Sequence, residues 1–118
     1  MAAVYYHYTS RQFAQDIYCT GKVDNPHGVN YITPDLYTSG AEAAQSLGIT
    51  KKPVEVICVI PGHVLQTAMS GRVPASTVIT GVTDPVTGAL VRRGGGNQIV
   101  IPQPIHLNPV QFINLAVP

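Results

Sequence analysis

The chain has 118 residues, of which 45% are apolar and 11% are charged, and its formal net charge is +1 at pH 7. This length suits one domain, residues 1–118, with a single modest core, and the apolar content argues against a disordered chain. The near-zero charge excludes the broad positive surface of a general nucleic-acid-binding protein.

Neither a membrane span nor a secretion signal is evident in the sequence. No apolar run approaches the roughly 20 residues of a membrane helix, and the first residues lack the charged start and apolar core of a signal peptide. We therefore expect a soluble protein without a membrane partner. Cys19 and Cys58 are too few for a disulfide framework, and their apolar neighbours favour buried free thiols.

The first half of the chain predicts strands alternating with helices. Residues 5–9 are aromatic and β-branched, which is typical of a strand. Thr9 or Ser10 can then cap a helix over residues 11–20, which Gly21 ends. Its expected buried face, at helical spacing, consists of Phe13, Ala14, Ile17 and Tyr18.

A loop over residues 22–28 is predicted to lead into a short strand over residues 29–33, which stops at Pro34. Thr38 or Ser39 can cap a second helix over residues 40–47, with Gly48 after it.

The second half predicts mainly strands. Residues 54–60 are nearly all apolar and indicate a central strand, which Pro61 and Gly62 end. A short strand over residues 77–80, a turn over residues 83–88, and strands over residues 98–101 and 110–116 follow. Two short N-terminal helices followed mainly by strands predict an α+β domain.

Three segments carry residues that a purely structural strand rarely needs. His7 lies among tyrosines, and one of its ring nitrogens can be fixed by a partner while the other bonds a ribose hydroxyl or a carbonyl. Tyr31 and Tyr37 are candidate aromatic platforms for a flat heterocycle. Gln98 opens an apolar strand after three glycines, whose backbone can approach a ligand closely. Taken singly, each of these features is better explained by ordinary packing, surface exposure or a flexible loop.

The familiar catalytic motifs are missing. The sequence has no phosphate-binding glycine loop, no dinucleotide fingerprint and no nucleophile elbow. Its four histidines are widely spaced and predict no metal site. The pairs Lys51-Lys52 and Arg92-Arg93 are expected to be solvated turns, although either pair could contact phosphates.

Taken together, three segments resemble small bacterial ADP-ribosyltransferase toxin domains of the histidine–tyrosine class, in the subgroup with a histidine–tyrosine–aspartate signature. The matching segments are residues 6–10 (YHYTS), residues 28–35 (GVNYITPD) with 37–41 (YTSGA), and residues 94–102 (GGGNQIVIP). The resemblance implies a compact split β-sheet core with NAD bound as substrate in the cleft between two half-sheets.

The resemblance also implies roles for individual residues. The catalytic residues would be His7, which holds the adenosine ribose, Tyr31, which stacks on the nicotinamide, and Gln98. The last of these stands where the wider class usually has glutamate, and glutamine lacks the charge that stabilises a developing cation. The residues implied to bind NAD are His7, Tyr8, Thr9, Tyr31, Asp35 and Tyr37.

The first hypothesis is therefore an NAD-dependent mono-ADP-ribosyltransferase, the catalytic domain of a toxin or effector. It would modify a protein or nucleic-acid acceptor in a cytoplasm, after secretion within a larger toxin, and could have a cognate immunity protein. The alternatives are an NAD glycohydrolase with water as acceptor, a non-catalytic NAD- or nucleotide-binding module, and a small structural interaction domain.

Overall fold

The computed structural model describes residues 3–115, which form an α+β fold. The helices are α1 (Arg11–Thr20), α2 (Gly40–Leu47) and α3 (Gly62–Ala68). The strands are β1 (Val4–Thr9), β2 (Lys22–Val23), β3 (Asn30–Ile32), β4 (Val56–Pro61), β5 (Thr77–Val78), β6 (Val82–Thr83), β7 (Leu90–Arg92), β8 (Asn97–Ile101), β9 (Ile105–His106) and β10 (Gln111–Asn114).

Two three-stranded antiparallel sheets organise the fold. The first has the order β1-β4-β10 and the second the order β3-β8-β5. In the first sheet His7 pairs with Cys58, and in the second Tyr31 pairs with Val100. Two-stranded sheets, β2-β9 and β6-β7, complete the pairing among the described residues.

The two larger sheets meet at an isolated antiparallel bridge between Tyr6 and Thr33, which we call the seam. The Tyr6 N–H donates to the Thr33 carbonyl at 2.8 Å, and the Thr33 N–H donates back at 2.9 Å. The seam therefore sets β1 beside β3, and it brings the segment of His7 to the segment of Tyr31.

Apolar side chains form two clusters. The larger contains Ile17, Val23, Ile32, Cys58, Ile60, Leu65, Ile99, Ile101, Ile105 and Leu107. The smaller contains Tyr8, Ala43, Ile57 and Leu115. Because side chains alternate along a strand, neighbouring residues of β4 enter different clusters, and helices α1 and α2 cover different sides of the first sheet.

The first two predicted helices are confirmed. Ser10 caps α1 by accepting the Phe13 N–H at 3.2 Å, and Gly21 ends the helix in a left-handed conformation. Ser39 and Gly48 serve α2 in the same way. The predicted central strand is also confirmed, because β4 lies between β1 and β10.

Several expectations are wrong in detail. Tyr18 is 71% exposed and Cys19 is exposed, whereas Cys58 is buried; both thiols are free, as predicted. Helix α3 was not predicted, and the expected loop over residues 22–28 begins with β2. The last predicted strand is confirmed over Gln111–Asn114, and its expected end at Ala116 lies outside the described residues. Within residues 3–115, no helix has the length and apolar character needed to cross a membrane.

Candidate functional site

His7 is a buried, neutral histidine with one ring nitrogen that has no partner. Its side chain is 3% exposed, and Nδ1 lies 2.8 Å from the Tyr31 carbonyl oxygen. Burial lowers the pKa of His7 from 6.5 to about 4, so the ring is neutral at pH 7. Nδ1 must then carry the proton to donate to the carbonyl, which leaves Nε2 as a buried acceptor without a hydrogen bond.

Tyr31 and Gln98 lie on the second sheet. The Tyr31 side chain is 49% exposed, as a stacking platform requires. Gln98 is half-buried on β8, where it pairs with Thr77. Since Tyr31 pairs with Val100, which is two residues from Gln98, the Tyr31 and Gln98 side chains share one face of the sheet.

The His7 ring points to the other face of the seam. Tyr6 pairs with Thr33, so the alternation along β1 and β3 places Tyr6, Thr33 and Tyr31 on one face and His7 on the opposite one. The His7 ring packs edge-on against Phe13 of α1, with ring centroids 6.2 Å apart. The His7 ring is thus bonded to the Tyr31 carbonyl and lies away from the Tyr31 side chain. A ligand that contacts both side chains has to cross the seam.

Tyr8, Asp35 and Tyr37 belong to one hydrogen-bonded network. The Tyr8 hydroxyl donates to the Asp35 carbonyl at 2.9 Å and accepts the Tyr37 N–H at 2.7 Å. The Asp35 carboxylate accepts the Tyr37 hydroxyl at 3.2 Å and the Asn97 N–H at 2.8 Å. Burial is the main cause that raises the pKa of Tyr8 to about 12, so its hydroxyl stays protonated.

This network positions the start of β8. Asn97 also donates from its side-chain amide to Asp35 at 3.2 Å, and it directly precedes Gln98. The network therefore fixes the backbone that presents Gln98. The sequence analysis missed Asn97, although a polar residue between three glycines and an apolar strand is a usable signal.

The three glycines before β8 bond protein groups. The N–H groups of Gly94, Gly95 and Gly96 donate to the carbonyls of Gln45, Ile79 and Ser46, at distances of 2.8 to 3.0 Å. A Cβ at Gly96 would lie 2.7 Å from the Tyr37 hydroxyl. The glycines thus allow a close approach between this segment and α2.

Thr9 is fully buried, and its hydroxyl accepts a hydrogen bond from the Lys52 ammonium at 3.5 Å. Lys52 is half-buried, unlike the exposed Lys51, so the solvated turn expected for this pair describes only Lys51. In the other basic pair, Arg93 lies 2.6 Å from Glu42, and Arg92 donates to the Ile49 carbonyl at 2.8 Å.

Over residues 3–115, no three His, Cys, Asp or Glu side chains are grouped so that they could hold a metal ion. No family model matches the chain, and no curated protein or solved structure matches it either.

Proposed function

We propose that the chain is an NAD-dependent mono-ADP-ribosyltransferase, the catalytic domain of a toxin or effector that acts in a cytoplasm. The observation that carries the proposal is the state of His7. Its Nδ1 is held by the Tyr31 carbonyl at 2.8 Å, and its Nε2 is a buried acceptor without a partner. Buried polar groups rarely go unpaired. A ribose hydroxyl can donate a hydrogen bond to the unprotonated nitrogen of a neutral imidazole.

Tyr31 and Gln98 on the second sheet support the remaining roles. In the proposed reaction the bond between nicotinamide and ribose breaks, and an acceptor nucleophile bonds the ribose carbon and loses its proton. The Tyr31 ring, 49% exposed, offers a face for the nicotinamide. The Gln98 amide lies on the same face and can hydrogen-bond the reacting ribose. Orientation and electrostatics supply the rate enhancement in such a site.

The arrangement of the sheets also favours the proposal. Among residues 3–115, two three-stranded sheets touch through one bridge, at Tyr6 and Thr33, and this supports a site between two half-sheets, as the resemblance implies. The substrate would lie where β1 and β3 diverge, next to the seam. The acceptor would be a protein or nucleic acid; water as the acceptor would make the chain an NAD glycohydrolase.

A second function, that of a non-catalytic nucleotide-binding module, is favoured by a specific observation. His7 is only 3% exposed, and its ring lies on the face opposite Tyr31 and Gln98. Glutamine in place of a carboxylate also leaves the site without a negative charge at Gln98. Such a chain would bind the dinucleotide and leave it intact.

Labelled NAD distinguishes these functions. The protein is incubated with NAD, with and without cell lysate, and nicotinamide release and labelled macromolecules are measured. Labelling that depends on lysate is the expected result, whereas release without lysate identifies a glycohydrolase. His7→Asn keeps a donor at the place of Nδ1 and removes Nε2, so we expect NAD affinity to fall about tenfold with the fold retained.

Tyr18 provides the control for Tyr31, because both rings are exposed on the surface. Tyr31→Ala should abolish labelling, while Tyr18→Ala should leave it unchanged. Gln98→Glu supplies the missing charge and should increase turnover. If the wild-type chain does not bind millimolar NAD by calorimetry, the proposal is wrong. If the wild-type chain and the Gln98→Glu variant both bind NAD and neither turns it over, the chain is a non-catalytic module.

A further inference from the structure

A cavity of about 370 Å³ lies between the beginning of α1 and the loop that follows β2. Its lining combines a cation, an aromatic ring and several hydrogen-bonding groups. The residues that matter here are Ser10, Phe13, Asp16, Asn25, His27 and Lys52.

Lys52 brings a positive charge that forms no ion pair among residues 3–115. The ion pairs among residues 3–115 join Arg11 to Glu55, Lys22 to Asp24 and Arg93 to Glu42. Lys52 forms none of these contacts. Its ammonium reaches the Thr9 hydroxyl at 3.5 Å and lies 5.8 Å from the centre of the Phe13 ring. Burial lowers the pKa of Lys52, which shows that its charge is poorly solvated.

Two further features suit a phosphorylated ligand. Helix α1 begins beside the cavity, after its cap Ser10, and its partial positive charge is shared with the Glu55 carboxylate, which accepts the Arg11 N–H at 3.1 Å. Asp16 lies further along α1. Its carboxylate can accept hydrogen bonds from sugar hydroxyls, whereas it would repel a phosphate group. The cavity thus combines a cation for phosphate with a carboxylate for sugar hydroxyls.

The cavity is also close to His7. Phe13 lines the cavity, and both the His7 ring and the Lys52 ammonium lie about 6 Å from the centre of its ring, at 6.2 and 5.8 Å. A dinucleotide that placed a ribose at His7 would need a cation for its diphosphate within a few ångströms. Lys52 is half-buried, as Lys22 is, but Lys22 forms an ion pair with Asp24 and Lys52 forms none among residues 3–115.

We propose that this cavity binds the diphosphate group of a nucleotide, with Lys52 as its cationic contact. Identifying that nucleotide as NAD rests on the proposed function. Binding of a diphosphate at Lys52 does not, because the diphosphate of ADP presents the same chemistry without a glycosidic bond to cleave.

Calorimetry with ADP and with adenosine tests the proposal. ADP should bind the wild-type protein at least about tenfold more tightly than adenosine, since a charge-assisted contact is lost without the diphosphate. Lys52→Met keeps an unbranched apolar stem over Phe13 and removes the charge, so it should remove this preference. Lys52→Arg should retain it. Lys51→Ala, at the exposed neighbour, is the control and should bind ADP as the wild-type chain does.

The proposal is overturned if ADP and adenosine bind the wild-type protein equally, or if Lys52→Met keeps the preference for ADP. It is also overturned if Lys51→Ala and Lys52→Met weaken ADP binding to the same extent, because the effect would then be one of net charge. ADP binding that depends on Lys52 in a protein that leaves NAD intact supports this proposal, and the function proposed above would fail alone.

Discussion

At the scale of a residue, burial determines the protonation state of His7. A histidine in water is half-charged at pH 6.5, yet this ring is buried beside β4 and Phe13 of α1, and burial lowers its pKa to about 4. Its hydrogen bond to the Tyr31 carbonyl fixes one tautomer. The side chain is therefore held ready as an acceptor.

This state of His7 predicts how the stability of the protein depends on pH. Its pKa is about 4 in the fold and 6.5 in the unfolded chain, so the unfolded chain takes up the proton first as the pH falls. The stability contributed by the neutral ring is complete above pH 6.5 and is lost between pH 6.5 and about 4. The whole effect corresponds to about 3 kcal/mol. Urea unfolding at a series of pH values measures it.

His7→Asn is the reference for this experiment, because asparagine does not titrate in that range. The free energy of unfolding of the variant should fall less steeply between pH 6.5 and 4 than that of the wild-type protein. The exposed histidines, among them His27 and His63, are present in both proteins and cancel in the comparison. Parallel curves for the two proteins would show that the pKa of His7 in the fold is not lowered, and would contradict the prediction.

At the scale of an element, the glycine segment before β8 shows what close packing requires. Gly94 and Gly95 both have positive φ angles, 76° and 95°. A Cβ at Gly94 would lie 2.7 Å from the Ile79 carbonyl oxygen, whereas at Gly95 it would meet nothing within 4 Å. An alanine at Gly95 would therefore meet backbone strain alone, whereas an alanine at Gly94 would meet both backbone strain and a steric clash.

We expect Gly95→Ala to cost about 1–2 kcal/mol, the usual price of a left-handed alanine. Gly94→Ala should cost substantially more, because the added methyl group meets main-chain atoms that cannot rotate away. Thermal or urea unfolding of the two variants measures the difference. Equal losses of stability would mean that the segment shifts freely, and that its contacts with α2 and Ile79 are weak.

The sequence was sufficient for elements with strong local signals. Ser10 with Gly21, and Ser39 with Gly48, mark both ends of α1 and α2 through side-chain and left-handed caps. Helix α3 has no side-chain cap and begins at Pro61-Gly62, a pair that more often ends a strand. Its position depends on burying Leu65 in the core, and such tertiary contacts leave no local pattern.

The candidate site was harder to predict for the same reason. The distant residues Tyr8, Asp35 and Tyr37 do come together, but their polar groups bond one another and Asn97. Local spacing indicates which residues are unusual. It does not show whether a polar group faces a ligand or completes a network within the protein.

At the scale of the whole molecule, the strand pairing predicts which parts open first. Strand β4 is paired on both sides and contributes Cys58 and Ile60 to the core. The β6-β7 hairpin is more exposed to solvent, with Val86 91% exposed and Leu90 64% exposed. Amide hydrogen exchange should be slowest in β4 and at least about a hundredfold faster in the hairpin, since opening energies range from near zero to the global value.

Exchange measured residue by residue, with NMR, checks this order. The Tyr6 and Thr33 amides are the informative intermediate case, because they alone hydrogen-bond across the seam among the described backbone contacts between the two large sheets. Protection of the hairpin equal to that of β4 would contradict the prediction.

The hydrogen bond from His7 to the Tyr31 carbonyl spans the two large sheets and adds a side-chain tie next to the seam. One ring nitrogen thus links the two sheets, while the other is a buried acceptor without a hydrogen bond. A ligand that bonds Nε2 only when the two sheets are in contact would, by thermodynamic linkage, stabilise that contact. In such a case, the affinity for a ligand at Nε2 and the stability of the contact between the two sheets would change together.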